Sequence, residues 1–166
     1  MNDTVVVRPA VESDLAEVAQ LAGQLVRLHH DADPRRFLLV DRVEEGYARW
    51  FAQELTRPQA VILVAASPKE VVGYAYGALA GRDWNMLLDA HGAIHDVFVA
   101  STARRAGIGR ALVSALAATL EKLGAPRLVL STMVSNEAAQ RVFRECGFRA
   151  TMLEMTRDRP EQPRQV

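Results

Sequence analysis

Apolar positions recur along this chain with two periods, and the change from one to the other lays out its elements. "TVVVR" at 4–8 is short and β-branched, which predicts a strand that Pro9 ends. Leu15, Val18, Leu21, Ala22, Leu25 and Leu28 then recur every three or four positions, the spacing of a helix. Glu12 or Ser13 can open that helix by satisfying its free N–H groups. "HHDADPRRF" at 29–37 is polar and broken by Pro34, so it predicts a loop. A second helix is expected over 42–55, with Val43, Tyr47, Trp50, Phe51 and Leu55 on one face.

The middle of the chain changes period. "AVILVAA" (60–66) and "VVGYAYGALA" (71–80) predict two strands, with "SPKE" as the hairpin turn between them. Residues 81–92 form an excursion, and "AIHDVFV" (93–99) is a third core strand. From Gly107 to Leu123 the helical period returns, with Ile108, Leu112, Leu116, Leu120 and Leu123 on one stripe and Gly124 as the stop. "RLVLSTMV" (127–134) predicts a strand. Asn136 caps a helix to about Glu145, Gly147 ends it, and "FRATMLEMT" (148–156) predicts a last strand. The order β-α-α-β-β-β-α-β-α-β describes a mixed α/β layer fold. Neither a repeat nor a linker interrupts it, so residues 1–157 are expected to form one domain and 158–166 a polar tail.

Composition narrows the partners. The chain has 166 residues with 20 Lys plus Arg against 20 Asp plus Glu, and this neutral balance carries no electrostatic footprint for nucleic acid. No apolar run reaches membrane-spanning length. The start lacks a signal-peptide pattern, and the single cysteine, Cys146, fits a reducing compartment, so a cytoplasmic location is the expectation. His29, His30, Asp31 and Asp33 do not form a rigid ligand set, and no metal is expected.

The chemistry gathers at "ASTARRAGIGRALVSAL" (100–116), where a strand turns into a helix. A helix N-terminus exposes unpaired N–H groups and partial positive charge, which together suit a phosphate. Gly107 and Gly109 let an anion approach the backbone, and Arg104, Arg105 and Arg110 add formal charge. A nucleotide P-loop would need Lys-Ser or Lys-Thr after its last glycine, and a dinucleotide turn would need a third glycine where Leu112 stands. Neither is present. A plain strand-to-helix turn with solvated arginines is the alternative.

Arg104-x-x-Gly107-x-Gly109 resembles the acyl-CoA-binding motif of the GNAT acetyltransferases, Arg/Gln-x-x-Gly-x-Gly/Ala. "SNEAAQRVFRECGF" (135–148) is similar to that family's later segment through Asn136, Ala139, Val142, Gly147 and Phe148, and "VVVRPAVESDLAEVAQL" is similar to its usual start. The resemblance implies the GNAT fold, a mixed central sheet with splayed parallel strands flanked by helices. It implies acetyl-CoA as cosubstrate, with the backbone from Arg104 through Arg105, Ala106, Gly107, Ile108 and Gly109 to Arg110 around the pyrophosphate. It places pantetheine along Val97 and Val99, and Asn136 and Phe143 beside the cofactor. Asn136 would also serve as a helix cap.

Acetyl transfer to an amine needs a proton acceptor, because an alkyl ammonium has a pKa of about 10.4. Histidine suits that work, with an ordinary pKa of about 6.5. Strict strand alternation puts His95, Val97 and Val99 on one face and Ile94, Asp96 and Phe98 on the other. On that reading His95 faces the reaction cleft as the catalytic base, and Asp96 orients a neighbour or caps a loop. Phe143 departs from the family pattern, which has a tyrosine there to protonate the leaving thiolate. Cys146 is expected to be a buried structural thiol. The resulting expectation is an N-acetyltransferase acting on a primary amine, small molecule or peptide, in a ternary complex. The alternative is a non-catalytic acyl-CoA-binding or regulatory module. Family habit adds the expectation of a homodimer.

Overall fold

The computed structural model describes residues 4–159. Five strands form one sheet in sequence order: β1 (Val6–Pro9), β2 (Ala60–Ala66), β3 (Val71–Ala80), β4 (His91–Val99) and β5 (Leu128–Leu130). The first four pair antiparallel, and β4 and β5 pair parallel. A parallel pair needs a crossover, which α3 (Ile108–Lys122) supplies. Helices α1 (Leu15–Ala32) and α2 (Val43–Glu54) join β1 to β2, and α4 (Glu137–Glu145) follows β5.

The two-residue period of the strands sorts the core into two layers. Ile62, Val64, Tyr74, Tyr76 and Phe98 face α1 and α2, where they pack against Val18, Leu21, Ala22 and Phe51. Val61, Leu63, Ala65, Val72, Ala75 and Ile94 face α3, against Ile108, Leu112, Leu116 and Leu120. At Gly77 a Cβ would lie 2.7 Å from the Ala93 carbonyl oxygen, so only glycine lets β3 and β4 close there.

Four sequence expectations need correction. Helix α1 runs through His29 and His30 to Ala32, because its backbone ladder continues to Asp33 N–H on His29 C=O at 3.1 Å. Strand β4 begins at His91, two residues early, because Gly92 already hydrogen-bonds Arg127 C=O at 2.8 Å. The strand expected at 127–134 shrinks to Leu128–Leu130. The strand expected at 148–156 does not form: 149–159 is exposed throughout and, among the described residues, no backbone hydrogen bond reaches it. Strand-like sequence makes no strand without a neighbouring ladder to pair with. The tail beyond residue 159 lies outside the described residues.

Candidate active site

The parallel pair parts early. Gly92, Ala93 and Ile94 of β4 sit opposite Leu128, Val129 and Leu130 of β5, and β5 then stops. From His95 to Val99, β4 has a partner only on its β3 side. Ala100 N–H points to β3, donating to Val72 C=O at 2.8 Å. Backbone direction alternates along a strand, so the N–H and C=O groups of Val97 and Val99 point the other way, into the gap. Arg104 Nε occupies the Val99 carbonyl at 3.1 Å, and its guanidinium lies 5.6 Å from the Phe98 ring centroid.

The gap runs into the turn before α3. Residues 104–107 are exposed. Arg105 holds φ +66° and Gly107 φ +76°, the left-handed region that bends a chain tightly. An arginine thus stands where the backbone favours glycine. Ala111 N–H makes the first helical bond, to Gly107 C=O at 3.0 Å, which leaves the N–H groups of Ile108, Gly109 and Arg110 outside the ladder. A Cβ on Gly109 would meet only Val99 Cγ2, at 3.9 Å, and one on Gly107 would meet nothing within 4 Å. Gly107 is therefore required by its φ and not by crowding. Free N–H groups at a helix start, left-handed turn residues and arginines fit a pyrophosphate, and the open β4 edge fits an extended amide chain.

On α4, the Asn136 side chain accepts Ala139 N–H at 3.1 Å and so caps the helix as expected. Phe143 is half-buried, edge-on to Phe148 at 6.2 Å. Cys146 is a free thiol, half-buried and 3.7 Å from the Ser114 hydroxyl.

His95 is displaced from its expected face. Tyr76 pairs with Asp96 while Gly77 pairs with Ile94, so β4 carries one extra residue there, a β-bulge at His95. The bulge reverses the alternation. Ile94 joins Val97 and Val99 on the α3 side, and the exposed His95 ring stacks on Tyr76 at 5.4 Å between centroids. His95 therefore looks toward α1 and α2, beside Asp96 and away from Val97 and Val99.

There it meets polar groups that sequence reasoning missed. Glu54 is buried at the C-terminal end of α2. Arg57 Nη1 donates to both its oxygens, at 2.7 and 2.8 Å, and the Tyr76 hydroxyl donates to Oε2 at 2.6 Å. Burial pushes the Glu54 carboxyl up, but the bonds from Arg57 and Tyr76, with the charges of Arg57 and His95, bring it below its ordinary value. Tyr76 is held well above the tyrosine range, chiefly by burial and then by Glu54. Asp96 accepts the Tyr74 hydroxyl at 2.9 Å, and burial raises its carboxyl against the opposing influence of Tyr74, His95 and His29. Tyr47, half-buried, is pushed up to about 12, chiefly by burial and then by the charge of Asp96. A charged residue three positions after Phe51, on the apolar face of α2, was the available signal for Glu54.

Two open cavities flank this cluster. One of about 640 Å³ is bounded by Ala80, Arg82, Trp84, His91 and His95. The other, of about 590 Å³, lies over Asp41, Arg42, Tyr47, Arg49 and Trp50. His29, His30 and Asp33, expected near the acceptor, are engaged locally: His29 Nδ1 with Leu25 C=O, His30 Nδ1 with Phe37 C=O, and Asp33 Oδ1 with the Arg35 and Arg36 N–H groups.

A mixed sheet whose parallel strands part over a glycine turn defines the acyl-CoA N-acyltransferase fold. The chain belongs to the acetyltransferase (GNAT) family, which it matches over residues 24–148. Solved structures agree in fold. A mutant protein from Bacillus halodurans superposes with a TM-score of 0.78 at 19% identity, covering 92% of this chain and 98% of that one. The aminoglycoside N-acetyltransferase AAC(6')-Iy, solved in complex with CoA, gives 0.75 at 16% identity over 96% and 97%. Glucosamine-6-phosphate N-acetyltransferase from Arabidopsis thaliana gives 0.69 at 19% over 93% and 98%. No curated protein sequence matches the chain. Among the described residues, no helix is long and apolar enough to cross a membrane.

Proposed function

We propose that the protein is an N-acetyltransferase that moves an acetyl group from acetyl-CoA to a primary amine by direct attack in a ternary complex. The observation that carries this reading is the open β4 edge leading into the glycine-arginine turn. Val97 and Val99 would hold the pantetheine through their backbone groups. Arg104, Arg105, Ala106, Gly107, Ile108, Gly109 and Arg110 would hold the pyrophosphate, with Asn136 and Phe143 bordering the cofactor from α4. When bound, acetyl-CoA supplies the activated acetyl group and a thiol leaving group.

The chain's own residues handle the proton. The amine must shed one before it attacks, and His95, at the bulge where the gap opens, receives it. The Tyr76 face fixes the imidazole plane. The ionised Glu54 behind Tyr76 favours the positive charge the ring acquires. The cavity beside Trp84 and Arg82 opens onto His95 and gives the amine its approach. A binding-only module is the second reading. Phe143 favours it, since that ring has no proton for a leaving thiolate.

Thermal unfolding with acetyl-CoA, and with NAD and ATP as controls, tests the cofactor. A ligand at 100 times its Kd stabilises by about 2.7 kcal/mol, a shift of several degrees. A shift with acetyl-CoA alone supports the reading, and its absence overturns it. A panel of primary amines scored by thiol release then separates enzyme from binding module. Release with none of them favours the second reading.

A further inference from the structure

Strand β4 carries a second imidazole that the proton chemistry does not use. Ile94 packs in the α3 layer, and a Cβ on Gly92 would meet Leu128, Ala125 and Leu120. His91, Ala93 and His95 therefore share the opposite face. All three border the open cavity of about 640 Å³ beside the β3–β4 connection. The two histidines are about 13 Å apart at the rise of an extended strand. Between them the floor is Ala93, with Ala80 of β3 opposite His91. Side chains this short leave a trough from one imidazole to the other.

His91 is only 9% exposed. Its Nδ1 lies 2.9 Å from the Asp89 carbonyl oxygen, which only accepts, so Nδ1 carries the hydrogen. The neutral ring then has a bare lone pair on Nε2. That atom bonds to no described residue, yet no side-chain nitrogen or oxygen among the described residues is both sealed from solvent and unpartnered. Nε2 therefore reaches solvent, through the cavity that His91 lines. The charges nearby are already engaged. Arg82 Nε donates to Asp89 Oδ1 at 2.9 Å, and its guanidinium lies 5.1 Å from the centroid of the exposed Trp84 ring. Asp83 Oδ1 accepts the Asn85 and Met86 N–H groups at 2.9 and 3.0 Å. Asn85 itself stands exposed on the rim.

We infer that His91 sets acceptor specificity: Nε2 accepts a hydrogen bond from a second polar group, a terminal ammonium or hydroxyl, about 10 Å beyond the amine that reacts at His95. The inference rests on the acetyltransferase reading of this cleft. The acceptor class is then an extended primary amine, with an apolar stem along Ala93 and Trp84 and a hydrogen-bond donor at its far end. An acceptor lacking that donor displaces water from Nε2 and returns nothing, which lowers its kcat/KM.

The test is the rate of thiol release from acetyl-CoA with matched acceptors: α,ω-diamines and amino alcohols from butane to decane, and alkylamines of the same lengths. With the parent protein, the octane and decane donors should exceed their alkylamines by about tenfold in kcat/KM. The butane donors should show no gain, being too short to reach both histidines. An octylamine ending in trimethylammonium keeps the charge without an N–H and should also gain nothing. His91→Asn keeps a donor for the Asp89 carbonyl and withdraws the far acceptor, so the ratio should fall to about one. His91→Gln, whose oxygen reaches further, should recover part of the ratio. The acetyl-CoA thermal shift of each variant checks its fold, and the parent series decides without them. Equal rates for donors and alkylamines in the parent overturn the inference and leave the acetyltransferase reading standing. So does a gain that the trimethylammonium compound shares, because Trp84 would then be reading the charge. A ratio that His91→Asn leaves unchanged, or release with other amines but none of this series, overturns it too. Release with no amine at all removes the acetyltransferase reading itself.

Discussion

The two halves of β4 are built to opposite ends. From His91 to Ile94 the strand is held on both edges, by β3 and by β5. Glycine is required at Gly77 beside it, because a Cβ there would lie 2.7 Å from the Ala93 carbonyl oxygen, while one on Gly92 would press on the end of the Leu128 side chain at 2.7 Å. From His95 to Val99 one edge is open, and the side chains facing α1 and α2 join a cluster of hydroxyls, carboxylates and imidazole. One residue, His95, marks the change from one half to the other.

The contrast can be broken most severely in the closed half. Gly77→Val drives a side chain into backbone that cannot yield. It should cost about 3 kcal/mol, read as a lower midpoint in urea unfolding. Retention of parental stability would mean that the closed half is looser than its contacts indicate. In the open half, Gly107→Glu should cost about 1 kcal/mol of stability through the positive φ and abolish the acetyl-CoA-induced thermal shift through a carboxylate against pyrophosphate. His95→Ala comes next, with kcat lower by about 10²-fold, acetyl-CoA affinity unchanged, and the acidic limb of the pH–rate profile removed. An unaltered profile would take His95 out of the proton-acceptor role. Glu54→Gln should lower kcat less than His95→Ala and leave KM for acetyl-CoA unchanged, which stopped-flow and steady-state rates can separate.

The smallest effect is a pH dependence of stability at Asp96. Burial raises its carboxyl, so the folded chain keeps this proton at pH values where the unfolded chain has released it. Stability from this group is greatest below the unfolded carboxylate value of about 3.9 and declines as pH rises through the folded one. Asp96→Asn keeps an acceptor for the Tyr74 hydroxyl and removes the decline. Its stability relative to the parent should therefore improve between acid and neutral pH, measured by urea midpoints along that range. A constant difference would show that Asp96 binds its proton equally in the folded and unfolded chains.

Much of this was legible in the sequence where local pattern and tertiary structure agree. The α3 stripe of Ile108, Leu112, Leu116 and Leu120 is buried as its spacing implies, and Asn136 caps α4 as its position implies. The turn at Arg104–Gly109 was readable because closely spaced glycines and arginines break both the strand and the helix period there. What stayed hidden depends on partners far along the chain. Alternation cannot reveal a bulge, since only the register against β3 makes His95 an extra residue. Glu54 was not singled out in the sequence, because its partner Tyr76 lies 22 positions on. The strand expected at 148–156 has the right residues and no ladder to join.

The bulge has a consequence for length as well as identity. A strand has a parity, and each residue inherits its face from the count of those before it. His95 stands outside that count. Ile94 stays opposite Gly77 and Asp96 opposite Tyr76, so His95 is the one residue outside the pairing. Deleting it would close the ladder with every other residue on the face it already holds, Ile94, Val97 and Val99 toward α3 and Asp96 and Phe98 toward α1 and α2. What the position adds is an imidazole, not a place in the frame.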